Sequence, residues 1–337
     1  MKDGLGPPAY ADILDASKRL SRVAARTPLL ACPAADVICY GRVLVKAEVL
    51  QRTGSFKFRG AYNLISRLSG EDRAHGVVAY SSGNHAQAVA AVAELLGVPA
   101  TIVMPGDAPR LKIEATRGYG AEVVLYDRYG ESREAIAAAL VAESGATLVP
   151  PFDHPMIIAG QGTVGLEIGE EMTTRDMAPD IVLVPCSGGG LVAGTALAVK
   201  HRFPAAAIHS VEPDGFDDTA RSLRAGTRQQ ADRGARSICD ALLAPTPGEL
   251  TFPINRSLLA GGFSVSDEMA RAAMAFAFRH LKLVVEPGGA VALAALLSGK
   301  VGCAGKTVVV VCSGGNVDPD VFSAALAPAP EPRLASG

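Results

Sequence analysis

Tryptophan is absent from this 337-residue chain, and only 5% of its residues are aromatic. No base-stacking platform for single-stranded nucleic acid is suggested. Charge of one sign is also lacking: 32 Lys and Arg against 34 Asp and Glu leave a net charge of −2. That balance gives no electrostatic footprint for nucleic acid or for an anionic membrane. The six cysteines, Cys32, Cys39, Cys186, Cys239, Cys303 and Cys312, form no CxxC pair. Neither a zinc site nor a thioredoxin-like motif is therefore indicated. Several sit in apolar runs and read as small core residues, so a reducing cytoplasm is the expected compartment. No uninterrupted apolar run is long enough to span a bilayer. The best candidate, residues 283–297, is interrupted by Glu286, Pro287 and two glycines. Met1-Lys2-Asp3-Gly4 is not followed by the apolar stretch of a signal peptide.

What is present is apolar sequence in short alternating blocks. The chain is 49% hydrophobic and 20% charged, as expected of a globular protein with a large core. Val77-Val78-Ala79-Tyr80 precedes a helix predicted over about 84–96. Residues 100–104 precede one near 109–118, residues 122–125 one near 132–143, and residues 181–184 one over 191–201. Residues 208–211 and 307–311 are further buried-strand candidates. This alternation predicts an α/β fold of parallel sheets covered by helices on both faces. Pro150-Pro151-Phe152-Asp153-His154-Pro155 breaks the pattern and reads as a crossing between lobes. The Ala/Pro-rich tail, 327–337, reads as disordered.

Four segments carry candidate chemistry. In Ser55-Phe56-Lys57-Phe58-Arg59-Gly60, a lysine sits between two aromatics just before a Gly-Ala-Tyr helix start. Apolar neighbours push an amine towards its neutral, nucleophilic form, which a Schiff base to an aldehyde cofactor requires. Taken alone, Lys57 reads rather as an exposed, solvated lysine at a helix start. Ser81-Ser82-Gly83-Asn84-His85 lies between a strand and a helix, where N–H groups bind anions; an ordinary helix cap is the plainer alternative. Ser187-Gly188-Gly189-Gly190-Leu191 occupies a similar place and can form a nest for a phosphate. Ser313 follows an apolar strand and precedes Gly314-Gly315-Asn316; by itself it is a common turn serine. A rival motif overlaps the third segment. Gly188, Gly190 and Ala193 match G-x-G-x-x-A, and Glu212 stands about where a ribose-binding acid would fall. That makes a dinucleotide-binding protein an open alternative.

Together, these segments resemble the fold-type II pyridoxal-phosphate (PLP) enzymes, in the threonine/serine dehydratase and serine racemase branch. The resemblance implies a tryptophan-synthase-β-like fold of two open twisted sheets. A large lobe would comprise 1–66 and 152–326, with a smaller lobe, 67–151, inserted into it. It implies that Lys57 anchors PLP and then removes the substrate α-proton. Phe56, Asn84, Ser187, Gly188, Gly189, Gly190, Leu191 and Ser313 would complete the cofactor site, with Asn84 near the ring hydroxyl and Ser313 at the ring nitrogen. A serine there protonates that nitrogen less firmly than an aspartate, which favours elimination over transamination. Four glycines are usual in the phosphate loop, and Ser187 replaces the first; it costs energy only if that position needs φ > 0. Ser81, Ser82, Gly83, Asn84 and His85 would take the substrate carboxylate. Ser82 would face Lys57 across the ring and permits racemisation.

The resemblance also implies a divalent cation, Mg²⁺ or Ca²⁺, on Glu212, Asp218 and the Phe216 carbonyl; a solvated acidic loop is the alternative. A homodimer acting on a small amino acid is expected. The expected reaction is ammonia release from L-threonine or L-serine, with racemisation as the alternative. The short stretch after Ser313 has no room for a regulatory domain like that of biosynthetic threonine dehydratases, so strong inhibition by isoleucine is not expected. A hydroxyaspartate substrate would need a further cationic group, which the sequence alone does not place.

Overall fold

The computed structural model describes residues 6–81, 83–108 and 110–327. Ser82 and residues 328–337 of the expected tail lie outside them. The strands are β1 (Leu29–Ala31), β2 (Arg42–Ala47), β3 (Val77–Tyr80), β4 (Ala100–Pro105), β5 (Glu122–Tyr126), β6 (Thr147–Leu148), β7 (Ile181–Pro185), β8 (Ala207–Pro213), β9 (Gly261–Val265) and β10 (Thr307–Cys312). They form a six-stranded sheet, in order β1-β2-β10-β7-β8-β9, and a four-stranded sheet, in order β5-β4-β3-β6. Every pairing is parallel except β1 with β2. The four-stranded sheet falls within the stretch expected as the smaller lobe.

Burial explains the strand sequences. β10 lies between β2 and β7, and all its residues after Thr307 are buried. Both faces of such a strand meet helices, so Val-Val-Val-Val replaces an apolar/polar alternation. The apolar stretch 283–297 becomes helix Pro287–Leu297, with ten buried residues, packed on β7 to β10. Helices Pro155–Thr174 and Gly190–Arg202 cover the opposite face. The helices predicted from 84, 109, 132 and 191 begin at Asn84, Arg110, Arg133 and Gly190. One start differs more. Helix Lys57–Ile65 begins at the lysine itself, so Gly60-Ala61-Tyr62 lie inside it. The two flanking aromatics also part company: Phe58 enters the core beside the four-stranded sheet, while Phe56 packs towards the six-stranded one. Among the described residues, no helix is long and apolar enough to cross a membrane.

Candidate active site

Parallel strands put their carboxyl ends on one side, and loops leaving those ends meet in a crevice. The four candidate segments follow β2, β3, β7 and β10, so this rule brings them together. They surround a cleft of about 1050 Å³, including solvent at its mouth. Phe56, Lys57, Ser81, Gly83, Asn84, His85, Ser187, Gly190, Leu191 and Ser313 all line it. The first and last segments are stitched directly: Phe56 N–H donates to the Ser313 carbonyl at 3.1 Å, and Ser55 bridges Gly314.

Lys57 lies half-buried in the cleft wall, with Nζ 2.7 Å from the Pro151 carbonyl and 5.1 Å from the Phe56 ring centroid. Burial lowers its pKa from 10.5 to about 8. Pro151 and Phe152, from the Pro-rich crossing, therefore form part of the site wall as well. His85 is buried, and Nε2 contacts the Val149 carbonyl at 2.8 Å. A carbonyl only accepts, so Nε2 carries the proton. Burial, then the nearby Lys57 charge, lowers the His85 pKa to about 3, and the ring stays neutral.

The glycine loop is shaped for an anion. Gly188 and Gly189 have φ of 68° and 96°, a region that glycine occupies without strain. A Cβ on Gly188 would sit 2.4 Å from the Phe152 ring. Ser187 is not among the positive-φ residues, so the departure from four glycines carries no such backbone strain. Its hydroxyl accepts the Ala244 N–H at 3.0 Å. The Gly188 carbonyl accepts from Gly248 N–H at 3.0 Å, and the Gly189 carbonyl from Asn255 at 3.3 Å. With the carbonyls turned outward, the loop N–H groups and the start of helix Gly190–Arg202 are left for a ligand. A phosphate fits this cradle, an aldehyde fits the amine of Lys57, and Ser313 closes the far side.

The proposed cation ligands stand apart from the cleft. Glu212 is fully buried, and its two oxygens accept the N–H groups of Thr219 and Ala220 at 3.0 and 2.8 Å. Its place away from the cleft that the glycine loop lines counts against its role as a ribose acid. Asp218 is also buried, and its Oδ2 has no hydrogen-bond partner. Burial raises Glu212 to about 8, with Asp218 adding to the effect, and raises Asp218 to about 7.

The sequence reading did not place the cationic rim. Arg128 and Arg133 line the cleft with Tyr80 and Tyr126, all at or beyond the carboxyl ends of the four-stranded sheet. The Arg133 guanidinium lies 5.2 Å from the Tyr80 ring centroid, and its Nε donates to Glu134 at 2.8 Å. Arg128 Nε donates to Asp107 at 2.7 Å. No local motif marks these arginines; their spacing after β5 was the only available signal.

The comparisons agree with this geometry. The family described as "Pyridoxal-phosphate dependent enzyme" matches residues 20–314. An L-threo-3-hydroxyaspartate ammonia-lyase of Saccharomyces cerevisiae is 44% identical, over 92% of this chain and 94% of that protein. A serine racemase of Schizosaccharomyces pombe is 40% identical, over 94% of this chain and 97% of that one. The crystal structure of a T.th. threonine deaminase superposes with a TM-score of 0.86 at 43% identity, covering 92% of this chain and 99% of that one. The chain belongs to the family of pyridoxal-phosphate dependent enzymes.

Proposed function

We propose that this chain is an ammonia-lyase for a β-hydroxy amino acid with a second carboxylate, namely 3-hydroxyaspartate. The observation that carries the substrate is the pair Arg128 and Arg133 at the cleft. Threonine or serine, the substrates expected from the sequence, would leave both guanidiniums without a substrate anion. The name of the yeast relative supports the same choice.

In this reading, Lys57 anchors PLP, the loop 187–191 holds its phosphate, Asn84 meets its ring oxygen and Ser313 its ring nitrogen. When bound, PLP supplies the electron sink that makes the substrate α-proton acidic. The start of helix Asn84–Leu96 takes the α-carboxylate, and Arg133 with Arg128 takes the β-carboxylate. The freed Lys57 amine removes the α-proton, and its depressed pKa keeps much of it neutral near pH 8. The β-hydroxyl leaves as water. A water then replaces the nitrogen, giving the 2-oxo acid and ammonia. Neutral His85 adds no cation beside the reacting amine.

Arg133→Ala tests the substrate. Loss of a charged hydrogen bond is expected to lower kcat/KM for 3-hydroxyaspartate about 10- to 100-fold. The value for serine should change by no more than about threefold. Equal losses on both substrates would reject the dicarboxylate reading. The Schizosaccharomyces relative makes racemisation a second reading, with Ser82 as its second base. A panel scored for both ammonia and product chirality separates the two.

Glu212, Asp218 and the Phe216 carbonyl remain the proposed cation site, supported by the orphaned Asp218 oxygen beside a second carboxylate. Mg²⁺ or Ca²⁺ is expected to raise the melting temperature by mass action on the folded state. Glu212→Ala with Asp218→Ala should abolish that response and leave PLP binding intact. A chelator with no effect on stability would remove the metal from the proposal.

A further inference from the structure

A largely buried polar cluster in the wall of the cleft joins the two sheets. Lys112, on helix Arg110–Gly118, is only 3% exposed. Its ammonium donates to Asp240 Oδ2 at 2.7 Å and to Glu286 Oε2 at 3.3 Å. Glu286 is 1% exposed, directly before helix Pro287–Leu297, and its Oε1 accepts from Asn84 Nδ2. Two motif glycines make room for this. A Cβ on Gly83 would lie 2.7 Å from the Lys112 stem, and one on Gly314 would run into Glu286 Oε1. Close approach, rather than backbone freedom, explains both.

The hydrogen bonds settle which way the Asn84 amide points. The Thr53 carbonyl can only accept, so Asn316 turns its NH₂ towards it, at 2.7 Å. The same NH₂ donates to Asn84 Oδ1 at 2.9 Å. Asn84 must then face Glu286 with its own NH₂, and a carboxylate is the acceptor that requires it. One N–H of that group is used, which leaves the other for the cleft that Asn84 lines. Burial disfavours both charges, yet Glu286 and Asp240 outweigh it at Lys112 and hold its pKa up at about 12.

We propose that Glu286 is a positioning residue, held by Lys112 and Asp240, that fixes the Asn84 amide so that it presents an N–H to the ring oxygen of the cofactor. The inference rests on the PLP reading above. Its consequence is a link between the sheets, because Asn84 and Lys112 flank the four-stranded sheet, while Asp240, Glu286 and Asn316 come from the rest of the chain. Substrate-loop placement and the donor to the cofactor are thereby set by one cluster.

Glu286→Gln is the test, because glutamine has the same shape but only one acceptor. Both neighbours, Asn84 Nδ2 and Lys112 Nζ, are donors. The stronger demand comes from the ammonium, so the glutamine NH₂ is left facing Asn84 and turns its amide. The holoenzyme is expected to lose intensity in its violet absorption band, and PLP to dissociate about tenfold more readily. Lys112→Met added to Glu286→Gln removes the competing donor and should restore the band, which a merely structural defect would not allow. An unchanged spectrum and PLP retention within about twofold in a folded Glu286→Gln holoenzyme would overturn the inference, as would a double variant no better than the single one. If the wild-type chain forms no violet band with PLP, the cofactor reading itself fails.

Discussion

Lys57→Ala is expected to abolish turnover, with kcat for ammonia release falling at least about 10⁴-fold. A positioned general base contributes roughly 10²- to 10⁴-fold by itself. In the proposed function the same amine would also anchor the cofactor aldehyde, so both roles would go together. The phosphate cradle at 187–191 does not depend on the lysine, and PLP should still bind to the variant, without the violet band. Steady-state ammonia release and an absorption spectrum on the same sample check both statements. Near-normal release would reject Lys57 as base and anchor. A companion measurement uses the wild-type apoprotein. Burial lowers the Lys57 pKa from 10.5 to about 8, so the reactive neutral amine grows in as pH rises through 8. The rate of PLP attachment should follow that curve; a rise centred near the ordinary lysine value would show the amine to be solvated.

Arg59→Ala is expected to be the most destabilising single change, at about 3–5 kcal/mol. Arg59 lies two residues beyond Lys57 and is 1% exposed. Its guanidinium donates to both Glu48 oxygens at 2.8 Å, to the two Glu167 oxygens at 2.7 and 2.9 Å, and to Thr163 at 3.1 Å. Lys46, 1% exposed, completes a group of two cations and two carboxylates. Removing the arginine leaves fully buried Glu48 without its main counter-charge. Such a loss lowers the melting temperature by roughly 10 °C in a chain of this size. Arg59→Lys should recover only part of it, because an ammonium cannot span two carboxylates in one plane. Thermal unfolding of the three proteins decides the matter; an Arg59→Ala melting point within a degree or two of wild type would contradict it.

Much of the fold was legible because it depends on local chemistry. β3, β4, β7 and β10 are β-branched runs followed by glycine or polar turns, and the helices after β3, β4 and β7 start within one residue of the predicted positions. The edge strands were harder. β1 has three residues, and β9 is Gly-Gly-Phe-Ser-Val, which carries little strand signal; both form because a neighbour offers its free backbone groups. The start of the lysine helix was misplaced for a similar reason. Ser55 and Phe56 are held against Gly314 and Ser313, and that anchor, far along the chain, sets where the helix begins.

By itself, the sequence determined the α/β class and the four loops that carry Lys57, Asn84, the glycine cradle and Ser313. The last three each follow a predicted strand, whereas β2, before Lys57, was not predicted. The tertiary structure alone decided what those loops meet. Strand order placed β10 between β2 and β7, and so put Ser313 against Phe56. It turned Arg128 and Arg133 to the cleft, where a second carboxylate can be read. It drew Lys112 beneath Gly83 to reach Asp240 and Glu286. It also buried Glu212 against two backbone N–H groups, away from the cleft that the glycine loop lines. The physical reason is the same in each case. A charge's role depends on its burial and its partner, and both are set by residues far away in sequence.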